Sequence, residues 1–172
     1  SCSFTNQAPL ANAGPDQSAL VNTTITLDGS QSSDGDGDPL TYEWSFVSKP
    51  SGTATLSDPS AVKPTFLLDK AGTYILQLLV NDGTDTSVPD QVVISTQNSR
   101  PVADAGEDQS GVVNGTITLD GSGSSDVDGD SLTYQWSLEV PQGSSATLTN
   151  PTAVQATFMI DKPGIYTAQL IV

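Results

Sequence analysis

The stretch ITLDGSQSSDGDGDPLTYEWS at residues 25–45 decides the fold, because it returns as ITLDGSGSSDVDGDSLTYQWS at residues 117–137. Extending the match outward aligns residues 6–80 with 98–172 at a constant offset of 92, without a gap, and 43 of the 75 pairs are identical. Solenoid repeats run about 20–50 residues, so a period this long marks each copy as a domain in its own right. Inside the stretch, Leu40, Tyr42, Trp44 and Phe46 alternate with Thr41, Glu43 and Ser45. A period of two places the first four on one face of a strand and the other three on the opposite face.

The same pattern predicts strands at residues 24–27, 65–68, 74–80 and 91–95, the third with Tyr74, Leu76, Leu78 and Val80 on one face. No helical period persists for about 11 residues, and 15 Gly with 11 Pro supply frequent turns. The expectation is an all-β chain of two tandem immunoglobulin-like antiparallel β-sandwiches, each of about seven short strands. Trp44 and Trp136 fall on the third strand, where such folds bury a Trp. Asp69-Lys70-Ala71-Gly72-Thr73-Tyr74 and Asp161-Lys162-Pro163-Gly164-Ile165-Tyr166 resemble a tyrosine corner, in which a Tyr hydroxyl bonds back to upstream backbone. The repeat predicts domains at residues 6–96 and 97–172, preceded by a short segment at 1–5. Val172 is the equivalent of Val80, so the second sandwich is expected to lack its final strand and to show an open edge along residues 166–172. The plain explanation is that the sequence stops short of that strand; the sharper one is that a strand from another chain fills the edge. Residues 1–10 are one candidate donor, and head-to-tail addition would build filaments.

Composition narrows the function. The chain has 172 residues, 20 Asp+Glu against 5 Lys+Arg, no His and one Cys, for a formal net charge of −15. That charge repels phosphate backbones and argues against nucleic-acid binding. Without His there is no triad base or His zinc ligand, and one Cys forms no internal disulfide. No apolar run approaches the about 18 residues of a membrane-spanning helix. The acidic side chains sit in turns present in both copies, with no cleft signature for the paired carboxylates of a glycosidase. No catalytic residues are assigned. Nine of the ten aromatics (all but Phe4) have a core explanation on strands or corners, which leaves few rings for a sugar-stacking platform. Cys2 leaves three readings open: the lipidated first residue of a lipoprotein, an intermolecular disulfide, or an unpaired thiol. Asn22-Thr23-Thr24 and Asn114-Gly115-Thr116 match the N-glycosylation pattern.

The ordered set A-x-A-G-x-D-Q, TLDGSxSSDxDGDxLTYxWS and GxYxxQLxV, followed in the first copy by NDG, resembles the PKD (polycystic kidney disease) domain, in its bacterial tandem form. The resemblance covers nearly the whole chain. It departs at the turn after the Trp, where WSFVSKPSG and WSLEVPQGS replace the W-x-F-G-D-G of many members. It implies extracellular or cell-surface β-sandwich modules that act as spacers, as adhesion or protein-contact units, or as polysaccharide- or protein-binding accessories of secreted hydrolases.

The alternating acids of SSDGDGD (Asp34, Asp36, Asp38) and SSDVDGD (Asp126, Asp128, Asp130) are the candidate chemistry. Carboxylates spaced along a Gly-containing turn converge oxygens on a hard cation such as Ca²⁺. The spacing is not that of an EF-hand loop, since position twelve is Ser45 or Ser137. The competing view is a solvated turn in which Asp caps local backbone N–H groups. The resemblance implies a Ca²⁺ set of Asn6, Asp34, Asp36 and Asp82 in the first domain, and of Asn98, Asp126 and Asp128 in the second.

Overall fold

The structure is a computed structural model and describes residues 5–172. Cys2, with its three open readings, and Phe4 lie outside the described residues. Those described residues form ten strands and no helix, so no helix is long and apolar enough to cross a membrane. The chain divides into two compact units between Asn98 and Ser99.

Unit 1 contains β1 (Gln17–Leu20), β2 (Thr24–Thr26), β3 (Thr41–Ser48), β4 (Thr65–Leu67), β5 (Thr73–Asn81) and β6 (Asp90–Gln97). One sheet has the order β1-β6-β5-β3, and β2 pairs with β4 in a second. The alternation in the sequence fixes which faces meet. Tyr74, Leu76, Leu78 and Val80 of β5 are buried with Val92 and Ile94 of β6, against Ile25, Leu27, Phe66 and Leu68 of the facing sheet. Each such aliphatic side chain contributes roughly 1.5–3 kcal/mol on burial. Trp44 is 2% exposed, and its indole N–H donates to the Ala61 carbonyl at 3.1 Å, so its one polar atom is satisfied. The Gly of the DGS motif sits under this ring. A Cβ at Gly29 would lie 3.0 Å from Leu78 and 3.3 Å from Trp44, so a side chain here needs the packed core to give by a few tenths of an ångström.

Unit 1 departs from expectation in two ways. Its described residues form six strands rather than seven, and one of them, β1, was not foreseen. β1 runs parallel to β6, with Gln17 opposite Ile94 and Leu20 opposite Gln97, in an otherwise antiparallel sheet. Gln-Ser-Ala-Leu has no β-branched or aromatic residue, so its extension comes from pairing rather than propensity. Alternation reports which face a side chain takes, not which way a strand runs.

Unit 2 contains β7 (Thr116–Asp120), β8 (Gln135–Glu139), β9 (Gln155–Met159) and β10 (Thr167–Ile171). β10 pairs only with β8, and β7 with β9. Trp136 is buried as Trp44 is, and donates to the Ala153 carbonyl at 3.2 Å. There is no counterpart of β6 among the described residues, and residues 109–112, aligned with β1, form no strand. Among the described residues, β10 has β8 as its one strand partner.

The described end of the candidate donor segment packs on unit 1. Pro9, Ala11 and Ala13 are buried in unit 1, and Leu10 bridges Ser33.

Candidate functional site in the acidic turns

The turn before β3 is built on one side chain. Asp34 Oδ1 accepts the Asp36 N–H at 2.8 Å and the Asp38 N–H at 3.1 Å. This Asx-type cap folds the loop so that Asp34, Asp36 and Asp38 each bring a carboxylate oxygen within 4.8 Å of the others. The second oxygen of Asp34 is buried and has no hydrogen-bond partner. Desolvating a carboxylate oxygen without a donor is costly. Asp36 is tied to the domain entrance, accepting the Gln7 N–H at 2.7 Å and its side-chain amide at 3.2 Å.

Asn6, one residue earlier, donates from Nδ2 to Asp82 Oδ2 and to Asp85 Oδ2, both at 2.9 Å. Asp82 Oδ1 accepts the backbone N–H groups of Thr84 and Asp85 at 2.7 Å each. The Asp85 N–H, the Asn6 amide and the Thr84 N–H hold the Asp82 pKa below the usual carboxylate value. The four residues of the first predicted set therefore fall in two groups, Asn6 with Asp82 and Asp34 with Asp36. The adjacent residues Asn6 and Gln7 connect them. Asp38 and Asp85 are further acids that the predicted set did not include, and the spacing of DGDGD was the signal for the first.

Unit 2 repeats the turn. Asp126 Oδ1 accepts the Asp128 N–H at 2.8 Å, and Asp126, Asp128 and Asp130 lie within 4.8 Å of one another. Asp128 Oδ2 accepts the Ser99 N–H at 2.5 Å, while its Oδ1 is buried without a partner. Asn98 is exposed and precedes Ser99 as Asn6 precedes Gln7.

Both tyrosine corners form, and each holds an Asp that the motif only hinted at. The Tyr74 hydroxyl lies 2.8 Å from the Lys70 carbonyl and 3.0 Å from Asp69 Oδ1, and it accepts the Lys70 N–H at 3.0 Å. Burial raises the Tyr74 pKa, and the Asp69 charge adds to it. Asp69 also receives the Thr53 and Ala54 N–H groups. Burial opposes its ionisation, but those donors and the Tyr74 hydroxyl outweigh it and lower its pKa. In unit 2, Asp161 accepts from Ser144, Ser145 and Tyr166, with the Ser144 hydroxyl the largest cause of a strongly lowered pKa. These carboxylates are fully used as structural acceptors.

Ser60 and Lys63 stand at the spacing of a Ser–Lys nucleophile pair, which the sequence reading overlooked. Lys63 Nζ is held by Asp28 at 2.7 Å and the Ser60 hydroxyl by Asp58 at 2.7 Å, so neither is directed at the other's chemistry. Every aromatic ring among the described residues is buried or half-buried, including Tyr42 and Tyr134.

Comparison with known proteins places both copies. A "K319L-like, PKD domain" family model matches residues 13–96, and a "PKD domain" model matches residues 98–172. The chain is 34% identical over 176 residues to the dyslexia-associated protein KIAA0319 homolog of Rattus norvegicus, covering 97% of this chain and 16% of that protein. It is 31% identical over 97 residues to collagenase ColA of Clostridium perfringens, covering 56% of this chain and 8% of the enzyme. The chain thus spans about a sixth or less of these relatives. Among solved structures, the PKD domain of the KIAA 1837 protein is 27% identical at a TM-score of 0.45, over 58% of this chain and 97% of that one.

Proposed function

This chain belongs to the PKD domain family, with one domain in each half, and on that premise we propose that it is a non-catalytic, extracellular or cell-surface module for spacing, adhesion and protein contact, stabilised by Ca²⁺. Domain limits at 6–96 and 97–172 go with this reading. The observation that carries it is the absence of any exposed aromatic ring among the described residues, which leaves no platform for stacking on sugars and favours spacing and protein contact. The charge of −15 keeps such modules soluble and apart.

The calcium part rests on the orphaned oxygens, Asp34 Oδ2 and Asp128 Oδ1. A divalent cation gives a buried carboxylate oxygen the partner that no donor in the chain supplies, and it relieves repulsion among three carboxylates. Asp34, Asp36 and Asp38 would hold it in unit 1, with Asn6 and Asp82 completing the set if the Asn6 amide turns its oxygen inward. Asp126, Asp128 and Asp130 would do so in unit 2, with Asn98 nearby in sequence. The ion would supply cross-linking of the turn to the domain entrance, not chemistry on a substrate.

Thermal unfolding in excess Ca²⁺ and in chelator tests this reading. Binding to the folded state alone at 100-fold over Kd adds about 2.7 kcal/mol, so the melting temperature rises with Ca²⁺, and Asp36→Ala removes the rise in unit 1. Equal melting temperatures with and without Ca²⁺ reduce the site to a solvated turn.

A second reading, an accessory module of a secreted hydrolase that binds polysaccharide or protein, draws on the similarity to collagenase ColA. Retention of the chain on insoluble polysaccharide or collagen favours it, and free passage favours the spacer.

A further inference from the structure

Four of the five basic residues stand directly before a proline, as Lys49-Pro50, Lys63-Pro64, Arg100-Pro101 and Lys162-Pro163, in a chain with only 11 Pro among 172 residues. Endopeptidases with an acidic specificity pocket cut after Lys or Arg. A following Pro has no N–H and a fixed φ, which makes the bond between the two a poor substrate for that class. Only Lys70-Ala71 remains. It lies on the surface, with Lys70 and Gly72 exposed, and an exposed loop of small residues is where proteases nick a folded chain.

Contacts rather than burial close this bond. Hydrolysis needs the carbonyl of the cut bond in the enzyme's oxyanion hole. Here the Lys70 carbonyl lies 2.8 Å from the Tyr74 hydroxyl, which also accepts the Lys70 N–H at 3.0 Å. On the other side of the bond, Gly72 donates its N–H to Thr96 Oγ1 at 2.7 Å, and its carbonyl accepts the Thr96 N–H at 3.0 Å. The Pro50 ring covers Gly72 so closely that a Cβ there would lie 2.7 Å from it. Lys70 Nζ donates to the Ser51 carbonyl at 3.3 Å. The segment is thus fastened to β6 and to the loop at residues 50–51 on both sides of the peptide. At the matching corner of unit 2 the residue after Lys162 is Pro163, so that bond is closed by its own chemistry.

We propose that Lys70-Ala71 is a latched cleavage site for an endopeptidase that cuts after Lys or Arg. The site is shut while the tyrosine corner holds and opens when unit 1 loosens, and Pro closes the other basic residues to the same class of enzyme. Cleavage adds one water across the peptide, leaving a carboxylate on Lys70 and an amine on Ala71. Cutting of a folded chain follows the population of its opened form when reclosing is fast. Intact unit 1 therefore persists beside such an enzyme, and a loosened one is severed at a single bond. This goes beyond the spacer reading and rests neither on it nor on the acidic turns.

The test uses the 172-residue chain with trypsin as the probe. In buffer the chain is expected to stay whole, whereas in urea that unfolds it one cut gives residues 1–70 and 71–172. Tyr74→Phe frees the Lys70 carbonyl and should be cut there in buffer roughly fivefold faster or more, the change in opened population from one lost hydrogen bond. Ala71→Pro should be cut in neither condition, and Pro50→Ala should gain a cut after Lys49 in urea. Chymotrypsin reports the fold of each variant, since cuts at the buried Trp44 and Phe66 mark loss of unit 1. If Tyr74→Phe shows those cuts, Thr96→Val takes its place, because it removes the hydroxyl on Gly72 and no buried core side chain. The same faster cutting at Lys70 is expected of it. Cutting at Lys70 in buffer as fast as in urea overturns the proposal. So do cuts at the four Pro bonds in urea, or a folded variant no more sensitive than the parent.

Discussion

Units 1 and 2 share the Asp-Lys-x-Gly-x-Tyr corner and the Trp-bearing strand, yet Tyr74 is 0% exposed while Tyr166 is half-buried. The same split runs along the strand. Leu76 and Val80 are buried in unit 1, whereas Ala168 and Val172 at the matching positions are partly exposed. The unit 1 core includes Val92 and Ile94 of β6 together with Ala11 and Ala13, and the unit 2 core holds no counterpart of these. Burial is therefore conferred by the neighbouring strand and not by the motif that carries the residue. The pair also separates what β6 does from what it does not do. Trp136 stays buried and its indole N–H bonded without β6, so the β8–β10 pair and the loop at Ala153 suffice for that part of the core.

The largest effect expected is from making unit 1 resemble unit 2. Ile94→Ala removes a fully buried side chain, and such truncations cost about 2–5 kcal/mol. Urea unfolding should show that loss in unit 1 alone, and hydrogen exchange should show β1 loosening with β6, since β1 has no other partner. If β1 keeps its protection, pairing to β6 is not what extends it.

Next is the tyrosine corner. Tyr74→Phe removes a buried hydroxyl and leaves the Lys70 carbonyl and N–H without that partner, at a cost of about 1–3 kcal/mol. Tyr166→Phe should cost less, because water reaches the partly exposed Tyr166 ring and replaces the bond. Equal losses on denaturant titration of the two variants break the comparison.

Acid titration should act on both units. The Asp28 pKa is lowered to about 2, first by the Lys63 side chain and then by Ser30. Asp69, Asp82, Asp120 and Asp161 are lowered as well. A carboxylate whose folded pKa lies below its unfolded value contributes stability that is present above the unfolded pKa and lost as pH falls through the folded one. For Asp28 that window runs from pH 3.8 down to about 2. Thermal melts should hold steady from neutral pH to about pH 5 and fall below about pH 4. A melting temperature that rises on acidification would show that relief of the overall negative charge outweighs these bonds.

The smallest effect is Lys63→Gln, which gives unit 1 the residue that unit 2 has at position 155. Lys63 and Asp28 are roughly half exposed, and surface ion pairs of this kind contribute little. Gln155 already bonds Asp120 at 3.0 Å, so the variant should melt within a degree or two of the parent, with any difference shrinking in salt.

The duplication, the all-β class, the buried Trp and the Tyr corners were legible because each is written in local chemistry: an alternation of period two, a turn residue, a ring with one donor. The acidic turns were legible for the same reason, since Asp34 bonds backbone only two and four residues ahead. By itself, the sequence thus determined which residues face inward and where the chain turns. The tertiary structure decided what depends on residues far apart in the chain. It made residues 17–20 a strand through β6 and set that pair parallel, and it joined Asn6 to Asp82 and Asp85 across 76 and 79 positions. It also bound Leu10 to Ser33 and packed Ala11 and Ala13 into the unit 1 core. The physical reason is that side-chain alternation records a residue's own two faces, whereas a strand's partner, its direction and a buried oxygen's neighbour are properties of pairs.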